Sequence, residues 1–218
     1  MKQRKAAKIT GVALLTMTII AIFSIGYAYD QFDRPEQLEW LKNTITQNIG
    51  LYYSMLTGIL LIIILDFIVS YTLYKYFEED KRKLALLSGI IRAIYTVIFG
   101  IATYYLTKNV NTNELTNQII KSNFEQFQTI WNCGLVIFGF HILLIGYLMK
   151  VNREIPNILS YITIIAGISY MLTSLLKLEV PNSRLVNTLV MILALPMTIG
   201  ELGLAIWLLI KGGKKILL

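Results

Sequence analysis

The sequence has one cysteine, one histidine and four prolines among 218 residues, and only 15% of its residues are charged. A single cysteine, Cys133, excludes an intrachain disulfide, and a single histidine, His141, excludes a haem held by two histidines of one subunit. The sequence contains no His-Glu-x-x-His or Gly-x-Ser-x-Gly motif, so two common signatures of hydrolases are missing. Soluble domains carry about 25% charged residues. With 56% hydrophobic residues, this chain is too apolar for an ordinary soluble domain.

Long hydrophobic runs make up most of the chain, and each has about the 20 residues that a helix needs to cross the hydrocarbon layer of a membrane. They predict an all-α fold, a polytopic bundle of six transmembrane helices that forms one domain over residues 1–218. The predicted helices cover residues 9–29, 52–74, 84–106, 130–149, 157–176 and 188–210.

The charges predict which ends of these helices face the cytoplasm. If the N-terminus is cytoplasmic, thirteen of the twenty Lys and Arg residues lie on that side, where the net charge is +9, against −1 outside. The positive-inside rule then places both termini in the cytoplasm of a multi-pass protein of the bacterial plasma membrane. This partition explains the net charge of +7 without a nucleic-acid partner. The first run is longer than a signal-peptide core, so we expect an uncleaved helix.

The connections differ in length and character. Short links at residues 78–83 and 151–156 predict that helices two and three, and helices four and five, form antiparallel hairpins. The first two outer connections are longer, and each predicts an amphipathic helix on the membrane surface or over the bundle. The alternative for each is an extension of the next membrane helix. The residues behind these predictions are Asp33, Pro35, Leu38, Leu41, Ile45 and Ile49 in the first connection, and Asn111, Glu114, Leu115, Ile119, Phe124 and Phe127 in the second.

Four ionisable residues lie inside four different hydrophobic runs: Asp66, Arg92, His141 and Glu201. Each is nine or ten residues from a lysine at the cytoplasmic edge of its run. At ~1.5 Å per residue this places all four about 13–15 Å into the membrane, near its midplane. Ionisable residues are costly there, so they usually face the bundle interior, find partners and mark function. We expect the four to form one cluster.

Several roles are open for this cluster. Asp66 and Arg92 predict an ion pair that locks two helices, and polar neighbours on the same faces extend a stripe that could line a cavity. His141 and Glu201 could form a proton relay, a metal site, an acid/base site or a hydrogen-bonded packing contact. We expect no metal and no cofactor. The supporting polar residues are Ser70, Tyr74, Ser88, Tyr95 and Thr96.

Four stretches of the sequence resemble a known family of bacterial membrane proteins, domain of unknown function 4386. They are Phe138-Gly-Phe-His141-Ile-Leu-Leu-Ile-Gly-Tyr-Leu148, the pair Ile155-Pro-Asn-Ile-Leu159 and Ala166-Gly-Ile-Ser-Tyr170, and Gly200-Glu-Leu-Gly-Leu-Ala-Ile-Trp-Leu-Leu-Ile-Lys-Gly212. The resemblance covers essentially the whole chain and includes an Asp in the second helix and an Arg in the third, here Asp66 and Arg92. It implies the six-helix fold and assigns no activity.

The leading functional prediction is that a small solute, ion or lipid binds at the cluster or moves through it, in a proton-sensitive way. One alternative is a structural, partner-binding or immunity-type membrane protein in which the cluster is a packing network. A second alternative is an intramembrane enzyme. The expected partners are the lipid bilayer and a small molecule or ion. The sequence does not determine the identity of that ligand or the oligomeric state.

Overall fold

The computed structural model describes residues 1–33, 40–110, 115–152, 154–181 and 183–213, and all regular secondary structure in these residues is helical. The predicted all-α class is therefore confirmed. Five helical stretches are long and apolar enough to cross a membrane, since each exceeds ~30 Å at ~1.5 Å per residue. They are Gln3–Phe32, Ile49–Val110, Asn117–Val151, Asn157–Glu179 and Arg184–Ile210.

The first stretch consists of α1 (Gln3–Ala21), a π-helix (Ile22–Tyr29) and the short helix α2 (Asp30–Phe32). It begins earlier than the predicted helix at residues 9–29, because the basic N-terminal residues are already helical. The π-helix is unusual, since this conformation normally occurs as a single turn inside an α-helix.

The second stretch is dominated by α4 (Ile49–Thr107), which contains 59 residues and reverses direction near its middle. The reversal is at Lys81, whose backbone has φ −150° and ψ 77°, outside the helical region. The Ser70 hydroxyl donates to the Gly89 carbonyl over 2.7 Å, which requires the two parts of the helix to lie side by side. Residues 49–80 and 82–107 are therefore two antiparallel arms, and they correspond to the second and third predicted helices.

The first outer connection contains α3 (Leu41–Gln47), which ends before α4 begins. Leu41 and Ile45 are fully buried, Lys42 and Thr44 are half-buried, and Asn43 and Thr46 are exposed. The predicted start of this helix at Pro35 and Leu38 lies outside the described residues.

In the second outer connection, the prediction of a separate helix is wrong, and the alternative, an extension of the next membrane helix, is found. Instead of a separate surface helix, the residues from Asn117 onward form the beginning of α5 (Asn117–Val151), which continues without a break through the fourth predicted helix. The reason is that residues 117–133 contain no proline or glycine to end the helix. Ile119, predicted on the apolar stripe, is 46% exposed, and the buried stripe includes Ile120, Phe124 and Phe127. Asn111 and Glu114 lie outside the described residues.

The last two helices, α6 (Asn157–Glu179) and α7 (Arg184–Ile210), match the fifth and sixth predicted helices and pack against each other. Pro196 lies inside α7 and removes the backbone donor for the Ile192 carbonyl. The chain divides into two compact units. The first contains Met1–Leu15, Leu65–Thr96 and Asn132–Leu218, and the second contains Thr16–Ile64 and Val97–Trp131.

The second unit is held together by aromatic rings around a buried amide network. The Tyr52 hydroxyl donates to the Leu106 carbonyl over 2.7 Å and accepts from the Asn109 amide over 3.3 Å. Asn109 in turn accepts from Asn123 over 2.7 Å. The Tyr29 ring packs on Phe124, with centroids 5.6 Å apart. Since every amide and hydroxyl in this network has a protein partner, we interpret it as structural.

In the first unit, glycines bring α5, α6 and α7 into close contact. A Cβ atom on Gly139 would lie 2.8 Å from the Gly167 carbonyl oxygen, so α5 and α6 approach at a point that only glycine permits. A Cβ atom on Gly200 would lie 3.2 Å from that of Ala166, where α7 packs on α6. These contacts place Phe138 of α5 beside Tyr170 of α6, and Tyr170 beside Glu201 of α7.

At one end of the first unit, the beginning of α1 contacts the end of α7, and Asn152 contacts the α4 reversal. Arg4 donates to three carbonyls at the end of α7, those of Leu208, Leu209 and Gly212, at 3.1, 2.7 and 2.7 Å. These carbonyls have no helical donor of their own, so the guanidinium satisfies them. The link at residues 151–156 meets the α4 reversal through Asn152, whose amide donates to Asp80 over 3.0 Å.

Candidate functional site

Asp66, Arg92 and His141 form a contiguous triad inside the first unit. The Arg92 Nε donates to Asp66 Oδ1 over 2.9 Å, and Nη2 donates to the same oxygen. Nη1 lies 3.2 Å from His141 Nε2. The three side chains come from the two arms of α4 and from α5, and each residue is at most 1% exposed. The predicted ion pair is confirmed, and His141 is its direct neighbour.

The contacts of His141 determine its protonation. Arginine only donates hydrogen bonds, so His141 Nε2 must accept from Arg92 and carries no proton. The ring proton is therefore on Nδ1, which donates to the Ser88 carbonyl over 2.9 Å; the Ser88 hydroxyl lies 2.9 Å from the same nitrogen. Protonating Nε2 would break the bond to Arg92 and bring two cations together in a fully buried position. We infer that His141 is neutral and orients the guanidinium.

Phe138 connects the triad, through Tyr170, to Glu201, the fourth ionisable residue of the predicted cluster. The Arg92 guanidinium carbon lies 5.2 Å from the centroid of the Phe138 ring, a distance typical of a cation–π contact. The same ring packs on Tyr95 at 4.7 Å and meets Tyr170 edge-on at 5.0 Å. An aromatic ring therefore lies between the ion pair and the residues of α6 and α7.

Glu201 lies apart from the triad and is held differently. Its Oε1 accepts a hydrogen bond from the Tyr170 hydroxyl, and both residues are half-buried. Among the described residues, no lysine or arginine forms a salt bridge with Glu201. Asp66 and Arg92 act on its carboxylate only through space and with opposite signs. His141 does not pair with Glu201 as expected, because its two ring nitrogens contact Arg92 and Ser88.

The supporting polar residues have separate roles. Ser70 joins the two arms of α4, Ser88 holds His141, and the Tyr95 ring packs on Phe138. The Thr96 hydroxyl donates to the Arg92 carbonyl over 2.8 Å, a common back-bond within a helix. Tyr74 is instead beside Lys75, whose ammonium lies 5.0 Å from the Tyr74 ring. Protein groups therefore occupy most of the stripe that the sequence predicted.

Sequence reasoning missed Phe138 and Tyr170 as parts of the site. Both lie within the stretches that carry the family resemblance, and Tyr170 is a phenol in the interior of α6. That phenol hydroxyl is the signal that would have found it, since a tyrosine in hydrocarbon needs an acceptor. In the part of the chain that the structure describes, no three His, Cys, Asp or Glu side chains are close enough to share a metal ion.

The fold and the buried charges define a helical protein suited to a membrane, with an ion-paired polar core. The family described as Domain of unknown function (DUF4386) matches residues 9–212, and the chain belongs to this family. It is 29% identical over 162 residues to an uncharacterized protein of Archaeoglobus fulgidus, which covers 74% of this chain and 85% of that protein. No solved structure matches the chain. The relative is archaeal, so the comparisons show the family and do not show a bacterial origin.

Proposed function

We propose that the chain crosses a cytoplasmic membrane six times with both termini on the cytoplasmic side. The two arms of α4 support this, because each is long enough to cross and they are joined at Lys81. The contact of Arg4 with the end of α7 is a second support, since chain ends that meet require an even number of crossings. The positive-inside bias then gives the orientation.

We further propose that the protein binds, or moves, a small solute, ion or lipid at Glu201 and Tyr170. One observation carries this proposal: Glu201 is half-buried and lacks a cationic partner among the described residues, whereas Asp66, Arg92 and His141 are enclosed and paired with one another. An ionised carboxylate accepts several hydrogen bonds, and Tyr170 supplies one of them to Glu201. The remaining capacity is available to a ligand.

The charges indicate which ligands suit this position. With Asp66 and Glu201 ionised, Arg92 charged and His141 neutral, the cluster has a net charge of −1. A monovalent cation, a protonated amine or a proton on Glu201 would each bring it to zero. A cationic ligand and a proton therefore compete for one carboxylate, which makes binding proton-sensitive. Carboxylates with this behaviour mark ion and proton pathways in membrane proteins.

The enclosed triad favours a second function for the cluster, the structural or partner-binding role. All three guanidinium nitrogens of Arg92 have protein acceptors, and the Asp66, Arg92 and His141 side chains have almost no exposure. Such a network can lock three helices together without any ligand. The two functions differ in what they require of Glu201, because only the binding function needs that carboxylate to react with molecules outside the protein.

Labelling with dicyclohexylcarbodiimide tests the binding function. This reagent partitions into lipid and reacts with protonated carboxylic acids. In vesicles, we expect mass spectrometry to find the adduct on Glu201, with slower labelling at higher pH. The matched internal control is Asp66, which should stay unmodified because it is ionised and enclosed. Glu201→Gln should remove the adduct. Equal labelling of both carboxyls, or no labelling of Glu201 in the folded protein, would contradict the proposed access.

A further inference from the structure

The beginning of α1 and the end of α7 are in backbone contact within the first unit. A Cβ atom on Gly212 would lie 2.9 Å from that of Ala7, and one on Gly213 would lie 2.8 Å from the Arg4 backbone nitrogen. The Arg4 side chain adds its hydrogen bonds to three carbonyls at the end of α7. The two helix ends are therefore fixed side by side at the same level.

Four exposed lysines lie next to this contact, and we call them the terminal lysine surface. They are Lys2 before α1, Lys5 and Lys8 on α1, and Lys211 directly after α7. Lys8 follows Ala7 and Lys211 precedes Gly212, so each has its Cα about 3.8 Å from that of a residue in the contact. The salt bridges among the described residues involve other cations, so these four ammonium groups have no anionic partner there.

The charges around the terminal lysine surface favour an anion. Residues 1–29 and 202–218 contain no Asp or Glu, so neither segment supplies a negative charge of its own. The carbonyl end of a helix has a partial negative charge that would repel an anion, but Arg4 donates to the α7 carbonyls and offsets it. The α4 reversal differs, because its three cations at residues 81–83 directly follow three acids at residues 78–80.

The exposed faces of both helices become apolar next to these lysines. On α1, Val12 follows Lys8 by one turn on the same face and is 56% exposed. On α7, Ile206 and Ile210 precede Lys211 and are 48% and 55% exposed. Each ammonium group is therefore at the edge of an exposed apolar face, which is where lipid phosphates lie beside a spanning helix. A phospholipid contacts the lysines and the apolar faces together, whereas a soluble anion contacts the lysines alone.

We propose that the terminal lysine surface binds the headgroup of an anionic glycerophospholipid, with Lys8 and Lys211 contacting its phosphate. Its acyl chains lie along the exposed apolar faces of α1 and α7. Basic residues between membrane helices bind such headgroups. The positive-inside rule accounts only for the side of the membrane on which cations lie. Here, the contact between two helices brings lysines from distant parts of the sequence to one lipid. This binding does not depend on the ligand proposed at Glu201.

Quenching of Trp207 fluorescence by brominated lipids tests the site. Trp207 lies four residues before Lys211, about one helical turn, and bromine on an acyl chain quenches tryptophan only at short range. The full chain with Trp40→Phe and Trp131→Phe is placed in phosphatidylcholine vesicles that contain increasing fractions of brominated phosphatidylglycerol or brominated phosphatidylcholine. We expect phosphatidylglycerol to reach half-maximal quenching at an about 25-fold lower mole fraction, about fivefold for each of the two lysines at the phosphate. Equal mole fractions for the two lipids would overturn the proposal.

Two charge-matched double variants test where the lipid binds. Lys8→Gln with Lys211→Gln should remove the preference for phosphatidylglycerol. Arg82→Gln with Lys83→Gln also removes two exposed cations, but at the α4 reversal, and should leave the preference unchanged. Glu201→Gln should keep it as well, because that carboxylate belongs to the separate ligand proposal. Equal losses in the two double variants would mean that the lipid is attracted to the positive protein as a whole, and reversal of the quenching by glycerol phosphate in solution would mean that the surface takes a free phosphate; either result would overturn the proposal.

Discussion

The Asp66–Arg92–His141 triad and the Glu201–Tyr170 pair lie in the same unit and are joined through Phe138, yet they hold charge in different ways. In the triad, the cation contacts both of its partners, and nothing is left exposed. In the pair, a carboxylate faces a neutral hydroxyl and is half-buried. Two charges that neutralise each other can remain in an apolar interior, whereas a carboxylate with a neutral partner keeps its capacity to bind a proton or a cation.

This difference shows that depth in the membrane does not by itself determine the role of an ionisable residue. Asp66, Arg92, His141 and Glu201 were all expected at the same depth. Their partners divide them into a fully buried, ion-paired triad and a half-buried carboxylate, Glu201, that has a neutral partner. If the comparison is right, changes to the triad should affect stability, and changes to the pair should affect chemistry.

Asp66→Asn should cause the largest loss of stability. It leaves the buried Arg92 guanidinium without its anion, and such a loss costs about 3–5 kcal/mol. Arg92→Met in the same chain should remove much of this penalty, because no buried charge then remains unpaired. Unfolding of the four members of this double-mutant cycle in detergent measures the coupling. Additive effects of the two substitutions would show that the ion pair contributes nothing to folding.

His141→Leu should destabilise the protein less, by about 1–3 kcal/mol, since it leaves one guanidinium donor without its acceptor and removes the bond to the Ser88 carbonyl. His141→Gln is the matched control, because its amide can accept from Arg92 and should recover part of the loss. The same unfolding measurement applies. A His141→Leu protein as stable as the wild type would mean that His141 is not a member of the triad.

Much of this fold follows from the sequence because the physical causes are local. About 20 apolar residues are needed to cross a bilayer, and the runs that satisfy this length correspond to the helices found. The Asp66–Arg92 pair was also predictable, since an arginine in hydrocarbon requires an anion at the same depth. The hairpin in α4 followed from the shortness of its link.

The structural features that the sequence did not predict depend on the rotation of each helix about its axis and on where each helix ends. Depth gave no information on which side of α7 Glu201 faces, so its pairing with Tyr170 instead of His141 was not predictable. The close approach of Gly139 and Gly167, which places Phe138 in the site, depends on the crossing of two helices. The second connection forms no separate surface helix, and the alternative, an extension of the next membrane helix, holds because residues 117–133 contain no proline or glycine to end the helix.

The smallest effect is a pH-dependent signal from Trp207, six residues after Glu201 on α7 and packed edge-on against Tyr76 with centroids 6.4 Å apart. Trp40 and Trp131 are replaced by Phe so that only this tryptophan is observed. Between about pH 5 and 8, the binding function predicts a small fluorescence change as Glu201 gains a proton and the cluster loses its net charge. Glu201→Gln should remove this change and cost less than about 1 kcal/mol, because its amide oxygen still accepts from Tyr170.

His141→Gln should keep the pH response, because His141 is bonded to Arg92 through an unprotonated nitrogen and has no part in the titration. This control distinguishes the two groups directly: the pair should respond to pH and the triad should not. Identical curves for wild type and Glu201→Gln, with both proteins folded, would mean that the pair does not exchange protons. A response lost in His141→Gln and kept in Glu201→Gln would reverse the assignment, since the proton would then bind at the triad, and the network enclosed around Arg92 would be the chemically active part of the cluster.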